Sequence, residues 1–170
     1  MRQAILLERN FPESMHHTIL DAIGFQWVVT RRDRRDPRFR VEILRIYDHR
    51  CAICGYDARL GNTDLGLDAA HIKWHAAGGP DSLDNGMAMC SFHHLAFDRG
   101  ALSLNDNLRI LVSKDVHGQN HIDQLLLRYS GKPLRTPQHG EPFPDNTYLE
   151  WHRYEVFWAP ARSFADGASR

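Results

Sequence analysis

Two ligand pairs constrain this chain more than anything else in it: Cys51-x-x-Cys54 and, further on, Cys90-x-x-His93. An x-x spacing lets both residues of a pair turn toward one metal ion. Together the pairs make a Cys3His set, a common closed tetrahedral site for zinc (Zn2+). A metal held this way closes a long loop and fixes the elements between its two halves. No coordination position is left open, so the role read for it is structural. Structural zinc contributes on the order of 10–16 kcal/mol in small zinc peptides at neutral pH. The rival reading is three ordinary buried thiols. Three cysteines cannot complete a disulfide framework, and their spacing favours metal. His94 adjoins His93 and is an alternative fourth ligand.

A chain of 170 residues suits one ordinary domain with extensions. No apolar run approaches the roughly 18 residues of a membrane span. The apolar patch at Met1–Glu8 lacks a signal-peptide cleavage pattern. A cytoplasmic location with no membrane partner is therefore expected. The formal net charge is zero, so bulk charge does not announce a nucleic-acid partner. The distribution says more: Arg31, Arg32, Arg34, Arg35, Arg38 and Arg40 crowd one stretch, diluted by Asp33 and Asp36. Such a run can neutralise phosphates, with Arg31, Arg32, Arg34 and Arg35 as candidate nucleic-acid contacts, or it can be solvated and self-paired.

The pattern of elements predicts an α+β fold. Helices are expected over 2–9 and from Pro12 to Gly24, with an extended stretch over 25–30. Val41, Leu44 and Tyr47 recur at helical spacing, with Ile43 and Ile46 beside them, so residues 41–48 form a helix leading to the first cysteines. Then come a strand over 65–72, a loop over 73–85 with the turn Gly78-Gly79-Pro80, a strand over 87–90, and a helix over 91–99 capped by Gly100. Alternating residues around Asn105-Asp106-Asn107 predict a short β-hairpin. A helix is expected over 121–129, a Pro-rich linker over 133–144, and a last helix over 146–157. The aromatics Tyr148, Trp151, Tyr154, Phe157 and Trp158 of that helix read as core packing. The boundaries expected are 1–40 for an N-terminal helical extension, 41–118 for the core, and 119–170 for a C-terminal helical extension.

Threaded through the metal pairs are His71, Asn85 and His94, with Asp98 one helical turn on. The series runs Leu67-Asp68-Ala69-Ala70-His71-Ile72, Gly78-Gly79-Pro80-Asp81, Asp84-Asn85-Gly86 and Cys90-Ser91-Phe92-His93-His94. In these residues the chain resembles the HNH endonuclease family, whose site is the ββα-metal fold. The resemblance covers about 50 residues, matching fourteen positions from His71 to Asn85 and nine from Asn85 to His94. It implies His71 as general base, Asn85 as a brace bonding the backbone of the long loop, and His94 as metal ligand. Asp98, four residues on and so on the same helix face, is a second candidate ligand. Phosphodiester hydrolysis needs an activated water and a cation beside the phosphate. A His with a carboxylate suits Mg2+, Mn2+ or another divalent ion such as Ni2+. Ala70 departs from the family, which often has a ligand there; the site then uses His94 and Asp98 alone or recruits Asp68. Seven further histidines (His16, His17, His49, His75, His117, His121 and His152) read as surface or satisfied core residues.

A wider resemblance, through Arg45-Ile46-Tyr47 and Tyr148-Leu149-Glu150-Trp151-His152-Arg153, is to the nuclease domain of bacterial modification-dependent restriction enzymes, including those acting on phosphorothioate DNA. It implies DNA as substrate, a homodimer as the natural way to cut both strands, and a separate reader of modified DNA. The rival from another class is a non-catalytic zinc module that binds DNA or protein.

Overall fold

The structure, a computed structural model, describes residues 36–163. The helices and strand expected over 2–30, and Arg31, Arg32, Arg34 and Arg35, lie outside the described residues.

The first helix, α1 (Pro37–Ile46), starts where its chemistry dictates. The Asp36 carboxylate accepts the Arg38 N–H at 2.9 Å, and Pro37 occupies the first turn, where its missing N–H costs nothing. This start is four residues earlier than the spacing predicts. Phe39, Ile43, Leu44, Ile46 and Tyr47 pack inward, while Val41 is 61% exposed. The inward place that the spacing assigns to Val41 belongs to Phe39.

A tight turn through Asp48 and His49, both at positive φ, delivers the chain to Cys51. Next comes a two-residue ribbon, β1 (Arg59–Leu60) against β2 (Thr63–Asp64), which no pattern in the sequence announces. The central hairpin follows. Strand β3 (Leu67–His71) pairs antiparallel with β4 (Gly86–Cys90), in a register that sets Leu67 opposite Cys90 and His71 opposite Gly86. Helix α2 (Ser91–Asp98) leaves directly from the end of β4 and stops at Gly100, whose φ of 71° is the left-handed value a helix end requires. Strand, loop, strand and helix thus fall in the order expected. Hairpin β5 (Leu102–Leu104) with β6 (Ile110–Val112) then adds Leu102, Leu104, Ile110 and Val112 to the core.

The helix expected over 121–129 is broken. Helix α3 covers only Ile122–Leu125, and a 3-10 turn follows at Leu127–Tyr129. The Leu125 carbonyl, which an unbroken helix would give to Tyr129, instead accepts the Nε2–H of His93 at 2.9 Å. The Pro-rich stretch lacks regular structure, as expected, yet it is laced down: the N–H groups of Leu134, Arg135 and Gln138 donate to the carbonyls of Leu108, Ala52 and Ile46. The last helix, α4 (Asn146–Glu155), is capped by Asp145 accepting from Thr147. Its buried face takes in only part of the aromatic stripe: Tyr148 packs against the core, and Trp151 and Phe157 are half-buried. Leu149 and His152 are fully buried, whereas Tyr154 and Trp158 are 87% and 64% exposed. Leu126, Leu134 and Leu149 join the same core as Ile43, Met87 and Phe97, so residues 119–163 pack as part of one compact unit that begins at Asp36. Among the described residues no helix is long and apolar enough to cross a membrane.

Candidate active site and metal centre

The ligand atoms of Cys51, Cys54, Cys90 and His93 all lie within 4.8 Å of one another. Cys51 and Cys54 come from the turn after α1, Cys90 from the last position of β4, and His93 from the first turn of α2. Sγ of Cys54 is 3.9 Å from Sγ of Cys90, and Nδ1 of His93 is 3.7 Å from Cys51 Sγ and 3.1 Å from Cys90 Sγ. Tetrahedral Zn–S bonds of about 2.3 Å require sulfur separations of about 3.8 Å. The donor set therefore has the spacing that a zinc ion needs. Its electrostatics agree. Hydrogen bonds from Cys54 and Cys90 hold the Cys51 thiol far below its usual pKa, and contacts with Cys51 and Cys90 push Cys54 far above. Three clustered thiols cannot all be thiolates without a cation among them. His93, not His94, is the fourth member. Its Nε2–H bond to Leu125 leaves Nδ1 as the lone-pair nitrogen facing the sulfurs, an outer contact that fixes ligand tautomer and orientation.

His71 ends β3, buried to 6% exposure. Its ring stacks on Phe39 of α1 at 4.1 Å and 16°, and His75 meets it edge-on at 5.9 Å. Opposite His71 in the ladder, Gly86 makes this stack possible: a Cβ there would come within 2.4 Å of Ile43 and 2.8 Å of Phe39. Nε2 of His71 is 2.7 Å from Oδ1 of Asp81. A carboxylate only accepts, so Nε2 carries the proton and Nδ1 is the basic nitrogen of the neutral ring. The second oxygen of Asp81 accepts the backbone N–H of Asp36 at 2.6 Å. Burial works against the charge on Asp81, but the Asp36 N–H and His71 outweigh it and hold the carboxyl below its usual range.

Asn85 is fully buried and all its polar atoms are used. Its amide donates to the carbonyls of Lys73 at 3.0 Å and Pro80 at 2.9 Å, and its oxygen accepts the Lys73 N–H at 2.8 Å. The N–H of Ile72, next to His71, donates to the Asn85 carbonyl. Asn85 thus pins both ends of the long loop. Gly79 lets the loop close this tightly: a Cβ there would lie 1.9 Å from the Lys73 oxygen and 2.9 Å from Asn85 Nδ2.

On α2, Nε2 of His94 is 3.4 Å from Oδ2 of Asp98. Two ligands at adjacent corners of an octahedron with bonds of about 2.1 Å stand about 3 Å apart, so the pair has the reach and the N,O chemistry for one divalent ion. Ala70 is fully buried and offers nothing. The Asp68 carboxylate pairs with Arg40 at 2.8 Å. Sequence reasoning alone does not find Asp81, Phe39 or Gly79 as parts of this site. Asp81 and Gly79 stand in the Gly-Gly-Pro-Asp turn, the one signal that could have found them.

Residues 51–105 match the family model described as HNH endonuclease. A solved structure, that of a protein named modification dependent TagI restriction endonuclease, superposes with a TM-score of 0.57 at 23% identity, over 72% of this chain and 38% of that one. This chain spans well under half of that protein's length, and a likeness at such identity speaks for the fold. No curated protein matches the chain. A strand pair and helix in HNH order, a Cys3His knuckle beside them, and the family match over the same residues converge on one statement: segment 51–105 is an HNH endonuclease domain.

Proposed function

We propose that this chain is a metal-dependent DNA endonuclease of restriction type, acting on modified DNA. The observation that carries the reading is the His71 site, a buried imidazole at a strand end whose loop is pinned by Asn85 and whose tautomer presents Nδ1 as the base. In the mechanism, His71 takes a proton from the attacking water at Nδ1, a step worth roughly 10²–10⁴-fold in rate. Asn85 acts through the loop, as a positioning residue. His94 and Asp98 would hold Mg2+, Mn2+ or a similar ion, which supplies charge at the scissile phosphate and the departing oxygen. The Cys3His knuckle stays structural.

Modified DNA as substrate rests on the likeness to the TagI enzyme, named as modification dependent, and a reader of the modification would be a separate domain or subunit. A homodimer would place two such sites on opposite strands. The test is supercoiled plasmid with Mn2+, offered unmodified or base-modified, with wild type beside H71A. Cutting by wild type alone supports the nuclease and its base, and preference for modified plasmid supports the substrate. Equal behaviour of wild type and H71A with zinc bound would favour the non-catalytic module instead.

A further inference from the structure

We infer that Asp81 is a positioning residue for His71, holding the imidazole in its Nε2–H tautomer through a carboxylate that the start of α1 orients. The inference rests on His71 being the base of the proposed reaction. The carboxylate is held at both ends, with Oδ1 on His71 Nε2 at 2.7 Å and Oδ2 on the Asp36 N–H at 2.6 Å. Both oxygens are thereby committed to protein partners. Asp36 is fixed in turn as the cap of α1, and Phe39 of the same helix stacks on the imidazole face. One helix start therefore sets both the edge partner and the face partner of His71.

The chemical consequence concerns where the proton sits. With Asp81 ionised, the only favourable tautomer carries hydrogen on Nε2, so Nδ1 has the lone pair that removes a proton from water. When Nδ1 takes it, the ring becomes an imidazolium beside a carboxylate that remains ionised. The Asp–His pair of serine hydrolases works by the same logic, and there the amide replacement costs about 10⁴-fold because the wrong tautomer results.

Geometry makes the amide replacement more damaging here than a truncation. In D81N the Asp36 N–H can only donate, so it retains the side-chain oxygen on its own side. The amide NH2 then faces His71 Nε2 as a donor, which forces the lone pair onto Nε2 and the hydrogen onto Nδ1. In D81A the Nε2 partner is lost without a competing donor taking its place, and the ring keeps a fraction of its productive form. The conservative variant is therefore the worse enzyme, an order that a purely structural role for Asp81 would not produce.

The experiment combines 15N spectra of the histidine rings at pH 8, assigned by loss of the signal in H71A, with single-turnover cleavage of plasmid in Mn2+. Wild type, D81N and D81A are compared at equal zinc content. The expected result is Nε2–H in wild type and Nδ1–H in D81N. The cleavage rate should fall about 10²–10⁴-fold in D81N and less in D81A, with little change in DNA affinity. A wild-type tautomer in D81N, or a D81N rate at or above that of D81A, overturns the inference. If wild type cuts neither modified nor unmodified plasmid, the nuclease reading fails while the spectra still decide the tautomer. If D81N does not fold, D81A decides: a wild-type rate and tautomer there would overturn the assignment.

Discussion

His152 should make the fold acid-sensitive by an amount that can be worked from its surroundings. The ring is fully buried, stacked on Phe97 at 3.6 Å and 12°. Its Nε2–H donates to the Phe97 carbonyl at 3.1 Å, and Nδ1 accepts from the Ser103 hydroxyl at 2.9 Å. Both nitrogens are satisfied by the neutral ring. Burial lowers the pKa from 6.5 to about 3. Below pH 6.5 the unfolded chain binds a proton at His152 and the folded chain does not. The contribution is therefore complete above pH 6.5 and is lost progressively as pH falls toward 3. Between pH 7 and pH 5 the loss amounts to about 2 kcal/mol, or about 4–8 °C in Tm for a domain of this size. Denaturant unfolding of wild type and H152Q, with excess zinc at each pH, isolates the effect, because protonation of the metal ligands is common to both. H152Q should be less stable at pH 7 but lose about 2 kcal/mol less on going to pH 5. Parallel pH dependences for the two proteins would refute the reasoning.

The two adjacent histidines of α2 should separate cleanly. H93A should lose zinc and unfold on mild heating, whereas H94A should keep one zinc per chain and lose Mn2+-dependent cutting; metal analysis with a melting curve and a cleavage assay reads both. G79A should push the loop off Asn85 and lower the cleavage rate at least tenfold with zinc retained, since its new methyl meets the Lys73 oxygen. Neutralising Arg31, Arg32, Arg34 and Arg35 should flatten the salt dependence of DNA binding by up to about 0.9 in log–log slope for each phosphate no longer neutralised, and an unchanged slope would remove them from the interface.

What can be read from the sequence follows the physics of each element. Cys51, Cys54, Cys90 and His93 are legible because a metal demands fixed spacings, and the same spacings locate β3, β4 and α2. The brace at Asn85 is implied by family resemblance, and the structure gives it three backbone bonds. Two-residue strands such as β1 and β2 carry no alternation to read. Hydrophobic spacing misplaces Val41 and the start of α1, because the true start depends on the Asp36 cap. No turn signal in the sequence marks the break at Leu126, where the Leu125 carbonyl accepts from His93, 32 residues away. Tyr154 and Trp158 share the spacing of a core stripe, yet the core at that helix is filled by Leu149 and His152. Asp81 looks like a turn residue until the fold brings it against His71.

The most direct measurement is single-turnover cleavage of a labelled DNA duplex by wild type and H71A, each carrying one zinc per chain, across a Mn2+ titration. Wild type should cut at a rate that rises with Mn2+ at constant zinc, and H71A should be about 10²–10⁴-fold slower. Equal rates in the two proteins, or no cutting of modified or unmodified duplex by the zinc-loaded wild type, would contradict the proposed function.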